Sequence, residues 1–104
     1  MIKHIVMLDL PADYNKQALA EIMLGFDAFR GELEGFLEFE HGPNLDFEDM
    51  SPQCKYAFVC TFKNKDVSRA YIVHPTHAEL GMQLVDICKD GVNGITVVDM
   101  ALPR

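Results

Sequence analysis

Hydrophobic and polar residues alternate at the start of the chain, in residues 2–10, with the two-residue period of a β-strand. Both sets of side chains are largely apolar, which predicts a strand with neither face fully exposed to water. Pro11 then ends the strand. One face carries Ile2, His4, Val6, Leu8 and Leu10, and the other carries Lys3, Ile5, Met7 and Asp9.

Three further segments have the composition and period of strands. They are residues 36–41, 55–62 and 95–102, and "KYAFVCTF" at 55–62 is the clearest because it is rich in β-branched and aromatic residues. The stretch "GPNLDFEDMSPQ" between the first two has two prolines, several acids and no period, so it predicts a loop. Gly91 and Gly94 bracket the turn that leads into the last strand.

Between the strands, apolar residues recur with the spacing of α-helices. The first two predicted helices span residues 13–33 and 67–73, and a third, longer helix follows to about residue 89. Asp13 is the expected N-cap of the first helix, and Asn64 or Asp66 that of the second. The resulting order is β-α-β-β-α-α-β. It predicts a ferredoxin-like α+β sandwich, with helices on one face of an antiparallel four-stranded sheet and residues 1–104 forming a single domain.

This fold leaves the other face of the sheet without cover. Ile5 and Met7 lie on that face of the first strand, so a monomer would expose a broad apolar patch. We expect a second copy to cover it, the two sheets closing face to face into a dimeric α/β barrel. The alternative is a twisted monomer that hides this face under its loop and termini.

Composition and charge exclude several classes of function. The net charge is −7 and no Lys/Arg cluster occurs, which argues against a nucleic-acid partner. No apolar run approaches the roughly 20 residues that span a bilayer, and the N-terminus lacks a signal-peptide cleavage site. We therefore expect a cytoplasmic protein that does not contact membranes. Cys54, Cys60 and Cys88 have no CxxC spacing and are predicted to be ordinary thiols.

The stretch "AYIVHPTH" at 70–77 combines a tyrosine, two histidines and a proline. Pro75 predicts a break near His74 and the start of a new helix, because proline disfavours the α conformation in the preceding residue. "THAE" also fits a capping box, with Thr76 as N-cap and Glu79 as its partner. Either start places His77 in the first helical turn, where the helix dipole disfavours a protonated ring. We expect His77 to be neutral at pH 7.

The helical period places His77 on the same face as Gly81, Leu84 and Val85, toward the interior. Two interpretations follow. His77 is either a core histidine bonded to a backbone carbonyl, with His74 a surface residue, or part of a site with Tyr71 and His4. A metal site at His74 and His77 is disfavoured because Pro75 disrupts the single helical face such a pair needs. No motif calls for a cofactor.

Three segments, "IKHIV", "YAFVCTF" and above all "AYIVHPTH", resemble the stress-responsive dimeric α/β-barrel (Dabb) family over nearly the whole chain. The resemblance implies a small ferredoxin-like protein that dimerises through its sheet. A plant polyketide cyclase of this family closes a linear polyketide by aldol condensation. Its catalytic tyrosine and histidine match Tyr71 and His77, and a strand histidine matches His4. A pocket tyrosine and a pocket histidine are replaced by Phe26 and Tyr56, so the cyclase's substrate is not carried over.

The resemblance and the residues together predict a dimer that binds a small carbonyl-containing or aromatic ligand. His77 would remove a proton next to a carbonyl, and the Tyr71 hydroxyl would donate a hydrogen bond to the developing enolate. This activity would be that of a cyclase, lyase or isomerase. The alternatives are a noncatalytic, stress-associated binding or scaffold protein and a cofactor-free monooxygenase. The remaining candidate ligand-binding residues are His4, Val6, Leu8, Phe26, Tyr56, His74 and Leu84.

Overall fold

The computed structural model describes residues 1–103 and contains one sheet of four antiparallel strands. The strands are β1 (Ile2–Leu8), β2 (Phe36–Pro43), β3 (Tyr56–Phe62) and β4 (Ile95–Ala101). Their order across the sheet is β2-β3-β1-β4, so β1 and β3 are central and β2 and β4 are edges. The pairing joins the first strand of the chain to the last.

Three helices complete the predicted ferredoxin-like order. They are α1 (Lys16–Phe29), α2 (Lys65–Val73) and α3 (Pro75–Ile87), and a short 3₁₀ helix (Gly91–Gly94) leads into β4. The α+β fold and the order β-α-β-β-α-α-β are therefore confirmed. None of the helices within residues 1–103 is long and apolar enough to cross a membrane.

The core lies between the helices and one face of the sheet. Alternate β1 side chains (Ile2, His4, Val6 and Leu8) are buried there, as the period predicts. The strand register places His4 between Cys60 of β3 and Asp99 of β4. Phenylalanines from α1, β2 and β3 fill the centre of this core and pack around Tyr71 of α2. Phe29, Phe36 and Phe62 make these contacts with Tyr71, and Phe26 and Phe58 are buried in the same core.

The first helix is shorter than predicted at both ends. Its N-cap is Asn15, whose side-chain oxygen accepts a hydrogen bond from the Ala18 N–H at 2.9 Å, whereas Asp13 lies in the preceding turn. The prediction of Asp13 as N-cap was wrong because either residue can cap and periodicity does not resolve two positions. The α-helix ends at Phe29, and Gly35 follows with a positive φ of 92°.

The opposite face of the sheet has no helix over it. We call it the open face, formed on β1 and β4 by Ile5, Met7, Val98 and Met100. Val98 and Met100 each keep 45% of their surface exposed, while Ile5 and Met7 are half-buried. An apolar face of this kind on a small domain indicates a surface that contacts a partner.

Candidate functional site

The junction of α2 and α3 brings the "AYIVHPTH" segment to the edge of the core. Because Pro75 forces the preceding residue into extended backbone, His74 (φ −73°, ψ 137°) becomes the N-cap of α3. Its Nδ1 accepts a hydrogen bond from the Thr76 N–H at 3.1 Å. The predicted capping box of Thr76 and Glu79 is therefore wrong. The Thr76 hydroxyl instead donates to the Glu32 carboxylate at 2.7 Å, which joins the junction to the turn that follows α1.

Three aromatic side chains meet beside this junction. The Tyr71 ring lies 4.6 Å from the His77 ring and 5.2 Å from the His4 ring, measured between centroids. Tyr71 and His4 are buried and His77 is half-buried. The structure thus places together the three residues that the sequence singled out, although they come from β1, α2 and α3.

His77 is held in one orientation by the backbone of α2. Its Nδ1 lies 3.0 Å from the Ile72 carbonyl oxygen, which can only accept, so Nδ1 carries the proton of the neutral ring. The other ring nitrogen, Nε2, then has a free lone pair. Burial lowers the pKa of His77 below its usual value; the Ile72 carbonyl opposes this shift and nearby His4 adds to it. His77 is therefore suited to accept a proton.

Tyr71 has a weakly bonded hydroxyl in a dry position. The Cys60 thiol donates a weak hydrogen bond to its oxygen, with the sulfur 4.0 Å away. Burial raises the pKa of the Tyr71 hydroxyl well above its usual range, so this group stays protonated. Burial also raises the pKa of Cys60 to about 12, which makes its thiol unreactive. The Tyr71 hydroxyl remains available to donate to a stronger acceptor.

His4 has a partner that the sequence did not reveal. Its Nδ1 lies 2.7 Å from Oδ1 of Asp99, directly across the β1–β4 pairing. The carboxylate accepts the Nδ1 proton when the ring is neutral and so fixes the ring orientation. The Asp99 side chain remains 55% exposed, so the pair connects the buried ring to solvent.

A cavity of about 570 Å³, which we call the main cavity, opens between α3 and the sheet beside these three rings. His4, Tyr71 and His77 form its polar wall. Asp86 also lines it, and no lysine or arginine does among residues 1–103. Its apolar walls include Val6, Phe26, Phe58, Gly81, Leu84, Val85, Ile95 and Val97.

Three predicted ligand-binding residues do not line the main cavity. Leu8 is fully buried in the core, so only Val6 of the two β1 positions reaches the cavity. Tyr56 bonds through its hydroxyl to Nδ1 of His41 at 2.6 Å. His74 caps α3 and packs against Phe29, with ring centroids 4.8 Å apart. Alternation and motif spacing gave the face or segment of each of these residues but not its distance from the main cavity, and ligand contact at the three positions stays a prediction.

Several cavity residues escaped the sequence analysis. Phe58 lies directly across from Val6 in the β1–β3 pairing, and Val97 lies across from it in the β1–β4 pairing. The alternation of β3 and β4 would have indicated their faces once the strand register was known. Gly81 lay on the predicted interior face of α3 but was not recognised as part of a cavity wall.

A smaller cavity of about 260 Å³ lies on the other side of His4 and Tyr71, between α2 and β4. Lys65, Arg69 and Asp99 line it, so its walls are more polar than those of the main cavity. His4 and Tyr71 therefore separate an apolar space from a charged one. The Asp99 carboxylate reaches solvent on the charged side.

The lowered pKa of His77 predicts a specific pH dependence of stability. Above about pH 6.5 the ring is neutral in both the folded and the unfolded chain, and the shift has no effect. Below that pH the unfolded chain binds the proton first, so the free energy of unfolding falls until the folded protein is protonated too. Urea unfolding between pH 7.5 and 5 should show a smaller fall for His77→Gln than for wild type. The control His41→Gln should retain the wild-type fall, and equal slopes in all three proteins would contradict the shift.

The family model of the stress responsive A/B barrel domain (Dabb) matches residues 2–102. A stress-response A/B barrel domain-containing protein of Arabidopsis thaliana is 32% identical over 78 residues, which cover 74% of this chain and 68% of that protein.

Two solved structures share the architecture. A dimeric ferredoxin-like protein of unknown function from Jannaschia sp. CCS1 is 42% identical, with a TM-score of 0.90 over 97% of this chain and 98% of that one. A hydroxynitrile lyase from Passiflora edulis has a TM-score of 0.83 at 16% identity, over 99% of this chain and 94% of that one. At the lower identity the likeness concerns the fold alone.

Proposed function

We propose that this chain, which belongs to the stress responsive A/B barrel domain (Dabb) family, binds a small uncharged carbonyl compound with an apolar or aromatic body. The observation that carries this proposal is the main cavity itself, which is apolar except for three hydrogen-bonding rings and Asp86. Concave apolar sites with a few convergent polar groups are typical of small-molecule binding.

The three rings support a reaction as well as binding. In the proposed pose the ligand carbonyl oxygen accepts a hydrogen bond from the Tyr71 hydroxyl, while Nε2 of His77 faces the α-carbon. His77 then takes an α-proton and becomes an imidazolium, and the electron pair of the broken C–H bond forms an enolate. The Tyr71 hydroxyl stabilises the charge on the enolate oxygen, and the apolar walls of the main cavity strengthen this interaction.

Charge limits the class of ligand. Asp86 lines the main cavity, Asp99 bonds to His4, and no cationic side chain among residues 1–103 lines the cavity to pair with an acid. A carboxylate or phosphate bound there would lose its hydration and lie near like charges. Neutral ketones, aldehydes and phenols therefore fit better than their ionised analogues.

A matched pair of probes tests this proposal. Phenylacetone, a neutral ketone, should bind at least about tenfold more tightly than its para-carboxylate, because the charged group cannot be paired in the cavity. Isothermal titration, or the chemical shifts of Gly81 and His77, would measure both affinities. Equal binding of the two probes, or tighter binding of the carboxylate, would contradict the proposed ligand class.

A noncatalytic binding protein is the second candidate, and the bond between His77 and the Ile72 carbonyl favours it. That bond orders the α2–α3 junction whether or not a reaction occurs. The two candidates differ in one result. A noncatalytic protein would bind phenylacetone without exchange of the ligand's α-protons with solvent. The proposed acid/base chemistry would exchange these protons with solvent.

We also propose that the functional unit is a homodimer joined through the open face. The ferredoxin-like protein from Jannaschia, 42% identical to this chain, is described as dimeric. The exposed apolar side chains of Val98 and Met100 would be buried in such a dimer. The main cavity lies on the helical side of the sheet, so the interface leaves it accessible.

A further inference from the structure

The loop between β2 and β3 (residues 44–55) presents large apolar side chains to solvent. Phe47 is 90% exposed, Met50 is 80% exposed and Leu45 is 68% exposed. Apolar side chains grouped on one loop of a small domain indicate contact with a partner. None of the three takes part in the main cavity.

The conformation of this loop is fixed by its own hydrogen bonds. Oδ1 of Asp46 accepts from the N–H groups of Met50 and Ser51, each at 2.9 Å, and from the Ser51 hydroxyl at 3.0 Å. The Asn44 amide donates to the Cys54 carbonyl at 3.0 Å. Asp46 and Asp49 adopt positive φ angles of 46° and 54°. Such a loop offers Phe47 in a defined position, which reduces the entropy lost on binding.

A groove of about 700 Å³ lies between this loop and the open face of the sheet. Its floor is formed by Ile5 and Met7 of β1 and Ala57 of β3, and Phe47 is at its rim. The groove is therefore continuous with the surface proposed to join two copies. The same small region supplies both an apolar projection and an apolar recess.

We propose that in the homodimer Phe47 of each copy packs into the groove of the other copy. This inference rests on the proposed dimer and names the segment that holds it together. In a two-fold symmetric interface the same surface of both subunits must be complementary to itself, and a projection beside a recess meets this condition. Phe47 does not fill the groove of its own chain, since nearly all of its surface is exposed.

Sedimentation of variants across a concentration series tests the inference. Phe47→Ala should weaken dimerisation on the order of 100-fold, because each dimer loses two buried aromatic contacts. Leu24→Ala is the matched control, since Leu24 is 70% exposed on α1 of the helical layer; its dimer should be as tight as that of wild type. Val98→Lys, which places a charge on the open face, should yield a monomer.

The outcomes separate the two proposals. A monomeric wild-type protein at high micromolar concentration would overturn both the homodimer and the role of Phe47. A wild-type dimer that Val98→Lys dissociates and Phe47→Ala leaves unchanged would overturn the role of Phe47 alone.

A disulfide provides a second test of the contact between Phe47 and the groove of the other copy, because Cys54 is half-buried in that groove. At a protein concentration high enough to offset the weaker dimer, Phe47→Cys under mild oxidation should form a covalent dimer through Cys54 of the other copy. Cys54→Ser in the same background should abolish that bond. A disulfide found only between Cys54 and residue 47 of the same chain would contradict the packing of Phe47 against the other copy.

Discussion

Replacing His77 with alanine is expected to slow the exchange of the α-protons of bound phenylacetone with deuterated solvent by about 100- to 10,000-fold. The reason is that His77 is the proposed base: its Nδ1 is committed to the Ile72 carbonyl, which leaves Nε2 to take the proton. Tyr71→Phe should slow the same exchange by about 100-fold, because the enolate oxygen loses its hydrogen-bond donor. Proton NMR of the ligand under saturating conditions measures both rates.

Stability measurements on the same variants test whether a folding defect causes the slower exchange. Tyr71→Phe retains the buried ring and removes only a 4.0 Å contact with Cys60, so it should cost less than about 1 kcal/mol. His77→Ala should cost about 1 kcal/mol, the value of its bond to the α2 backbone. His41→Ala, away from the cavity, is the matched control and should exchange ligand protons like wild type. Unchanged exchange in both site variants would contradict the proposed acid/base chemistry and would support the noncatalytic binding protein.

Filling the main cavity from α3 is expected to weaken ligand binding strongly while stabilising the protein. A Cβ added at Gly81 meets no atom within 4 Å, and Gly81 lines the cavity. A leucine there would lean toward the N-terminus of α3 and thus toward His77, occupying the space of the ligand. Gly81→Leu should weaken phenylacetone binding by on the order of 100-fold and raise the free energy of unfolding by about 1 kcal/mol, since glycine disfavours helix.

Gly81→Ala separates the two effects of that substitution. Alanine gives the same helical gain of about 1 kcal/mol but adds only one methyl group, so ligand affinity should change little. Calorimetric titration and urea unfolding of the three proteins provide the comparison. Wild-type affinity in Gly81→Leu would show that the ligand binds elsewhere.

Much of the fold could be predicted from the sequence because its signals are local. The alternation of β1 determined which side chains face the helices, and Pro75 determined where α2 gives way to α3. The N-cap of α1 could not be assigned, since Asp13 and Asn15 have similar capping chemistry and lie two residues apart. Helix boundaries are set by which competing hydrogen bond forms, and periodicity does not contain that information.

The sequence predicts which face of its strand or helix a site residue occupies. It does not predict which strands pair, so contacts that depend on strand pairing were not found. His77 and His4 were identified because periodicity places each on an inward face of its own element, and Tyr71 because it belongs to the "AYIVHPTH" segment. The partner of His4 is Asp99, 95 residues away, and only the pairing of β1 with β4 brings the two together. Leu8 shares a face with Val6 yet lies outside the main cavity. Alternation could not predict this difference, because it does not tell how far α3 extends over the strand.

The most direct test of the account is to locate a bound ligand by nuclear Overhauser effects between unlabelled phenylacetone and isotope-labelled wild-type protein. We predict contacts from the ligand to the His77 ring, the Gly81 α-protons and the Val97 methyl groups, all of which line the main cavity. Contacts confined to Ile5, Met7 and Met50 would place the ligand in the groove of the open face instead. That result would contradict the proposed site.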